Sequence, residues 1–167
     1  TVGVLRPQKA LDVLIRAAVP LLQELPDLRV LIAGEGPERE ALDALIRANG
    51  VEDRLKLVGF RNDVPDVIAA LDVAVSSSAF EGSPLAIMEY MEGARPIVAT
   101  RVGGVPNLID HDVHGLLVES GDIQGLTAAI RRMLTDREAA REMGERARER
   151  RRREFDLDVV VRRFEAL

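Results

Sequence analysis

The 167-residue chain has no cysteine and no tryptophan, one tyrosine, two histidines and only two lysines, Lys9 and Lys56. Without cysteine there are no disulfides, no thiolate zinc site and no thiol nucleophile, and two histidines leave little for an imidazole-based metal site. The redox compartment stays open, with a cytoplasmic location expected. Aromatic residues amount to 3% and the 23 basic and 28 acidic side chains nearly cancel to a net charge of −5. Neither a basic face nor a set of rings for stacking bases is available, so a general nucleic-acid binder is excluded. No apolar run approaches the length of a bilayer span and no leader precedes the first apolar segment. The chain reads as soluble, with membrane association through another part of the molecule left open.

What is present is a core: 47% of the residues are hydrophobic, enough for one ordinary domain. The chain opens directly on an apolar β-type run, Thr1 to Leu5, without an initiator Met. It therefore reads as a piece of something longer. Short β-branched runs then alternate with segments of helical period, the pattern of parallel strands joined by crossover helices. Strands are expected at Thr1 to Leu5, Leu28 to Ala33, Leu55 to Gly59, Asp72 to Ser76, Pro96 to Thr100 and Leu116 to Val118. Helices are expected at Ala10 to Leu25, Pro37 to Asn49, Val64 to Leu71, Pro84 to Glu92 and Ile123 to Thr135, with a charged helix from Asp136 onward. The fold class is α/β, a single doubly wound parallel sheet with helices on both faces. In such sheets ligands bind beyond the carboxyl ends of the strands.

The loops at those ends carry the candidate chemistry. Lys9 lies at the turn after the first strand, where a cation can meet a phosphate; a solvated loop lysine is the plainer alternative. Gly34-Glu35-Gly36-Pro37 is an incomplete dinucleotide fingerprint lacking its third glycine, explained by a tight turn with positive φ at Gly36 or by close approach to a ligand. In Glu81-Gly82-Ser83-Pro84-Leu85, Ser83 suits an N-cap and Pro84 a first helical position, which would gather amides around a positively polarised helix start. Glu81 precedes that helix and Glu89 lies within it. The two carboxylates can flank a diphosphate and accept hydrogen bonds from hydroxyl pairs on either side, or can simply favour the dipole and face solvent. Gly103-Gly104 fits either a ligand contact or a plain turn.

These residues together resemble the C-terminal, nucleotide-sugar-binding half of a group-1 retaining glycosyltransferase of the two-domain GT-B fold. Glu81-Gly82-Ser83-Pro84-Leu85 through Glu89 matches that family's paired-glutamate motif. Gly34-Glu35-Gly36-Pro37, Leu57-Val58-Gly59-Phe60, Pro96-Ile97-Val98-Ala99-Thr100, Val102-Gly103-Gly104-Val105-Pro106 and Gly115-Leu116-Leu117-Val118 follow in the family's order. The resemblance implies that Glu81 holds donor-sugar hydroxyls, Glu89 the ribose, the amides of Gly82 to Leu85 the diphosphate, and Lys9 the leaving diphosphate. It implies that Gly34, Gly36, Gly59, Phe60 and Arg61 lie near base and ribose, and that a nucleoside diphosphate sugar is the donor. It further implies that no catalytic metal or other cofactor is needed, that a missing N-terminal domain completes the cleft, and that the isolated piece is inactive. The acceptor is unspecified.

Val4 departs from the pattern, which has Arg directly after the first glycine, here Gly3. Arg6 would face the same side if the strand stayed extended and could substitute. Tyr90, Glu92 and Gly93 also differ from the usual helix end. Residues 1–150 are read as the nucleotide-sugar-binding domain and residues 151–167 as a helical segment packing toward the missing domain. The arginine-rich stretch from Arg146 to Arg153 is read as a solvated helical face. Asp110-His111-Asp112-Val113-His114 and Asp156-Leu157-Asp158 are not assigned to metal. The alternatives are a non-catalytic module with a vestigial cleft, favoured by Val4, and a nicotinamide-dependent oxidoreductase, disfavoured by the broken fingerprint.

Overall fold

The apolar runs become parallel strands and the amphipathic segments become the helices that cover them. The computed structural model describes residues 1–82, 84–156 and 161. In chain order it has a 3-10 turn at Pro7–Lys9, then α1 (Leu11–Glu24), β1 (Val30–Ala33), α2 (Arg39–Ala48), β2 (Leu55–Gly59), α3 (Val64–Ala69) and β3 (Ala74–Ser76). These are followed by α4 (Leu85–Glu92), β4 (Ile97–Thr100), α5 (Val105–Leu108), β5 (Leu116–Val118), α6 (Ile123–Thr135) and α7 (Arg137–Glu154). Most elements are a residue or two shorter than their sequence pattern, because the end residues turn into caps and loops. The Asp122 and Asp136 side chains accept from the Gly125 and Ala139 amides and so cap α6 and α7. Gly50, at φ 63°, ends α2 as Asn49-Gly50 anticipates.

All strand pairs are parallel, β1 with β2, β3 with β4 and β4 with β5. The expected single sheet is hydrogen-bonded as two blocks, β1–β2 and β3–β4–β5. The Thr1 to Leu5 run lies against β1 but contributes one parallel bridge, Val2 with Ala33, rather than a full strand. The Thr1 amine donates to the Leu31 carbonyl, Ala33 to Thr1, and Gly3 to Ala33. The Val2 amide points to the other side of the run, and there it donates to the Tyr90 hydroxyl at 2.8 Å instead of to a strand. That phenol is fully buried, and burial suppresses its acidity.

Two apolar layers enclose the strands. One joins α1, α2 and α6 to residues such as Leu5, Ile32, Leu55 and Val98; the other joins α3, α4 and α5 to Ala74, Ile97 and Ala99. α7 serves both, with Ala140 and Met143 in the first layer and Ala147 in the second. A Cβ on Gly144 would sit 2.4 Å from the Ala94 carbonyl oxygen, so α7 lies very close to the end of α4. The helix runs unbroken across residue 150.

The arginine-rich face is not merely solvated. Arg150 donates to Asp110 at 2.8 Å, to the Asn107 carbonyl and to Glu154, while Arg151 pairs with Glu92 and Arg146 donates to the Val113 carbonyl. The stretch clamps α7 to α4 and to the loop before β5. Of Asp156-Leu157-Asp158, only Asp156 is among the described residues. No helix among them is long and apolar enough to cross a membrane.

Candidate functional site

The residues after the first run do not continue as a strand. Arg6 donates its amide to the Val4 carbonyl at 2.9 Å, an i to i−2 turn, so the premise that Arg6 follows Val4 on one extended face does not hold. Arg6 is exposed and has no side-chain partner among the described residues. The chain tightens through Pro7–Lys9, and Ala10, at φ 44°, turns it into α1. Lys9 is thereby directed over the carboxyl end of the strands. A Cβ on Gly3 would stand 3.7 Å from its Cε.

Lys9 and Glu81, 72 residues apart, meet there. Lys9 Nζ donates to Glu81 Oε1 at 2.6 Å, and the side chains are 22% and 7% exposed. The Ser78 hydroxyl donates to the same oxygen at 2.6 Å. Among the described residues Glu81 Oε2 receives no bond, which leaves one carboxylate oxygen able to accept from a ligand hydroxyl. Lys9 likewise retains donors, since an ammonium has three. Ser78 was not singled out from the sequence, and neither was its support: Thr100 Oγ1 donates to the Ser78 carbonyl at 2.6 Å and Ser77 Oγ to the Lys9 carbonyl at 3.0 Å. The Ala79 amide donates to the Gln8 carbonyl, pinning the two loops together.

The glycines act mainly on neighbouring backbone. Gly103, at φ 49°, would put a Cβ 1.6 Å from the Glu81 carbonyl oxygen, and Gly104 would put one 2.7 Å from that of Gly82. Gly103-Gly104 thus seats the Glu81 loop. The positive φ expected at Gly36 falls at Gly34, φ 145°, whereas Gly36 is required because a Cβ would meet the Leu5 backbone at 2.4 Å. Gly34 donates to the Gly59 carbonyl, which connects this turn to the Gly59-Phe60-Arg61 loop. Phe60 is strongly exposed. Arg61 is held by two hydrogen bonds to Asp63, and that guanidinium keeps the Asp63 carboxyl below its ordinary range.

α4 begins at Leu85 with Pro84 as its flanking residue, one place later than expected, because Pro84 has ψ 75° and is not helical. Ser83, read as the N-cap, lies outside the described residues. The first acceptor inside the helix is the Pro84 carbonyl, which takes the Ile87 and Met88 amides, so the Leu85 and Ala86 amides stand at the open end of α4. Gly82 and Leu85 are exposed and Pro84 is buried. Glu89 is exposed on α4 beside Tyr90, whose hydroxyl ties the helix to Val2. The structure therefore brings together Gly3, Lys9, Glu81, Gly82, Pro84 and Leu85. Gly34, Gly36 and Gly59 support the adjoining turn, and Arg61 is engaged locally.

The Asp110 to His114 loop is used structurally. His111 Nδ1 accepts the Leu117 amide and His114 Nδ1 the Asp110 amide, while Asp112 pairs with Arg132.

The parallel α/β fold, with a cation, a buried carboxylate and an open helix terminus at the carboxyl edge of its strands, is similar to the Rossmann-like half of GT-B glycosyltransferases of known structure. The match to the family model described as "Glycosyl transferases group 1" spans residues 1–150, and the chain belongs to that family. It is 32% identical over 162 residues to N-acetyl-alpha-D-glucosaminyl L-malate synthase of Bacillus anthracis, covering 97% of this chain and 42% of that protein. The crystal structure of Anabaena Alr3699/HepE in complex with UDP superposes with a TM-score of 0.88 at 29% identity, covering 99% of this chain and 48% of that one. The C-terminal domain of the group 1 family protein LpcC from Francisella tularensis superposes with a TM-score of 0.85, covering 93% and 86%, and at 24% identity it speaks to the fold alone. The chain thus spans less than half the length of the synthase it matches.

Proposed function

We propose that this chain is the donor-binding half of a retaining glycosyltransferase that moves a sugar from a nucleoside diphosphate sugar to an acceptor. The observation that carries the reading is the Lys9–Glu81–Ser78 cluster beside the open end of α4, with Glu89 farther along the same helix. In the transfer, the bond from the anomeric carbon to the diphosphate oxygen breaks, the acceptor's nucleophilic atom bonds to that carbon on the same face of the sugar, and its proton passes to the departing diphosphate oxygen. Negative charge grows on the leaving diphosphate. Lys9 and the amides around Gly82 to Leu85 offset it, without any metal being required, because preoriented charges and dipoles need no rearrangement as the charge develops. Ser78 and Lys9 hold Glu81 Oε1, so that Oε2 takes the donor-sugar hydroxyls. Glu89 accepts from the ribose, and the Gly34 to Gly36 turn with Gly59, Phe60 and Arg61 borders the base. The likeness to HepE, described as a complex with UDP, supports a uridine nucleotide as the first ligand to test.

We further propose that the acceptor site and the remaining catalytic groups belong to the other half of the enzyme. On its own this half binds nucleotide weakly and turns over nothing. Val4, which replaces a second cation by an exposed apolar side chain, favours a second reading: a nucleotide module without catalysis. Calorimetric titration with UDP, GDP, ADP and NAD, with Glu89→Ala as control, separates the readings. Binding of one nucleoside diphosphate that weakens at least tenfold in the variant supports donor binding. Binding of NAD alone overturns it, and enzyme-like turnover by the isolated chain overturns the inactivity.

A further inference from the structure

Tyr90 is the only tyrosine of the chain, and it stands on the site's own helix, one residue after Glu89. It is fully buried and is one of the residues at which the chain departs from the family pattern. Its hydroxyl accepts the Val2 amide at 2.8 Å, across 88 residues of sequence. Burial raises the phenol's pKa above its ordinary value, and the charges of Glu89 and Glu81 raise it further, so both carboxylates of the site lie within electrostatic reach of the hydroxyl.

The bond joins the two sides of the site. Val2 precedes Gly3, whose own amide is fixed to the Ala33 carbonyl at 2.9 Å, so consecutive amides of the run turn to opposite neighbours. Gly3 borders Lys9, and a Cβ there would stand 3.7 Å from Lys9 Cε. On the other side, α4 carries Glu89 and, at its open end, the Leu85 and Ala86 amides. Among the described residues no other hydrogen bond ties α4 to the run of residues 1–5. The far end of α4 is held elsewhere, by the Glu92–Arg151 pair. Without the hydroxyl, and apolar packing apart, the separation of the two sides rests on Lys9–Glu81 and Ala79–Gln8, loop contacts that precede the helix.

We propose that Tyr90 is a positioning residue of the nucleotide site: its hydroxyl sets the distance between the Gly3–Lys9 side and the open end of α4, and with it the grip on the second phosphate of UDP. It acts through the Val2 amide rather than on the ligand. The inference rests on the donor-binding reading and adds to it the residue that fixes how well a diphosphate is told from a monophosphate.

The test measures UMP and UDP affinities by NMR titration of the 167-residue chain, of Tyr90→Phe and of Ile97→Val, which trims a buried side chain in the same apolar layer. Tyr90→Phe is expected to cut the preference for UDP over UMP by about threefold or more, because the two sides lose their fixed spacing. Ile97→Val should lower the melting temperature and keep the preference. Weakening of both nucleotides by one factor in Tyr90→Phe is the mark of a merely structural tyrosine and overturns the proposal. A second measurement needs no substitution. Grown with 3-fluorotyrosine, the chain carries a single fluorine label, at Tyr90, and its resonance should move saturably with UDP and less with UMP. A resonance that stays in place as UDP saturates the chain also overturns the proposal. Absence of UDP binding by the unaltered chain overturns the uridine-nucleotide reading and this inference with it, whereas UDP binding with an unchanged preference in Tyr90→Phe overturns this inference alone.

Discussion

Removing Lys9 tests how the cluster at the carboxyl edge is held. Lys9→Met leaves the Glu81 carboxylate, 7% exposed beside Lys9, with the Ser78 hydroxyl and, among the described residues, no cation within bonding distance. Removing one partner of a buried pair costs roughly 3–5 kcal/mol, and because Lys9 itself is 22% exposed the lower end applies, about 3 kcal/mol. Glu81→Gln keeps an oxygen for Ser78 and leaves an ammonium that can turn to water, so its cost is about 1 kcal/mol. In the double variant the uncompensated carboxylate is gone, and the cycle should show a coupling of about 2 kcal/mol, the double costing less than the sum of the singles. Urea unfolding followed by circular dichroism measures all four chains, which suits a protein without tryptophan. A coupling within experimental error of zero would mean that the carboxylate is hydrated rather than clamped, and the preoriented cluster would have to be abandoned.

Three other outcomes are expected. The Thr1 amine sits near 5 in the folded chain against 8.0 unfolded, so the unfolded chain binds more protons between those values. Stability should rise with pH across that window by up to about 4 kcal/mol, fully present above pH 8 and lost as the pH falls toward 5; acetylating the amine should flatten the slope in a series of melts. Gly103→Ala would set a Cβ against the Glu81 carbonyl oxygen at a positive φ. It should cost about 2 kcal/mol or more and weaken UDP binding, whereas Gly121→Ala, also at positive φ but with open space around it, should cost less and leave binding unchanged. Tyr90→Phe removes the hydroxyl that accepts the Val2 amide and should lower stability by about 1–2 kcal/mol, with faster exchange at that amide as the check.

The strands and helices were legible because their signals are local. Ile97-Val98-Ala99 reads as a doubly covered strand and is one, and the 3.6 period of Leu42, Leu45 and Ile46 reads as α2. The first strand was legible as an apolar run, but not the tie of its Val2 amide to the hydroxyl of a tyrosine 88 residues away. Distance along the chain also hid the clamp made by Arg150, whose partners lie around residues 107 to 114. Glu81 was visible as a candidate through the family motif, and Lys9 through its place at the turn after the first apolar run. Ser78 and Thr100, which hold Glu81 and its loop, belong to no local pattern that distinguishes a positioning hydroxyl from any buried serine or threonine. The glycines show the same limit. Gly36 was marked for turning, yet the structure puts the positive φ at Gly34, and only the approach of the Gly3 to Leu5 backbone shows that Gly36 must merely be small.

Where a nucleotide settles is reported residue by residue by the amide chemical shifts of the labelled chain titrated with UDP. Shifts concentrated at Gly3, Gly82, Leu85 and Glu89, with smaller ones at Gly34 and Gly59, are the result predicted. Saturable shifts confined to the opposite end, around Thr1, Leu31 and Leu134, would contradict it.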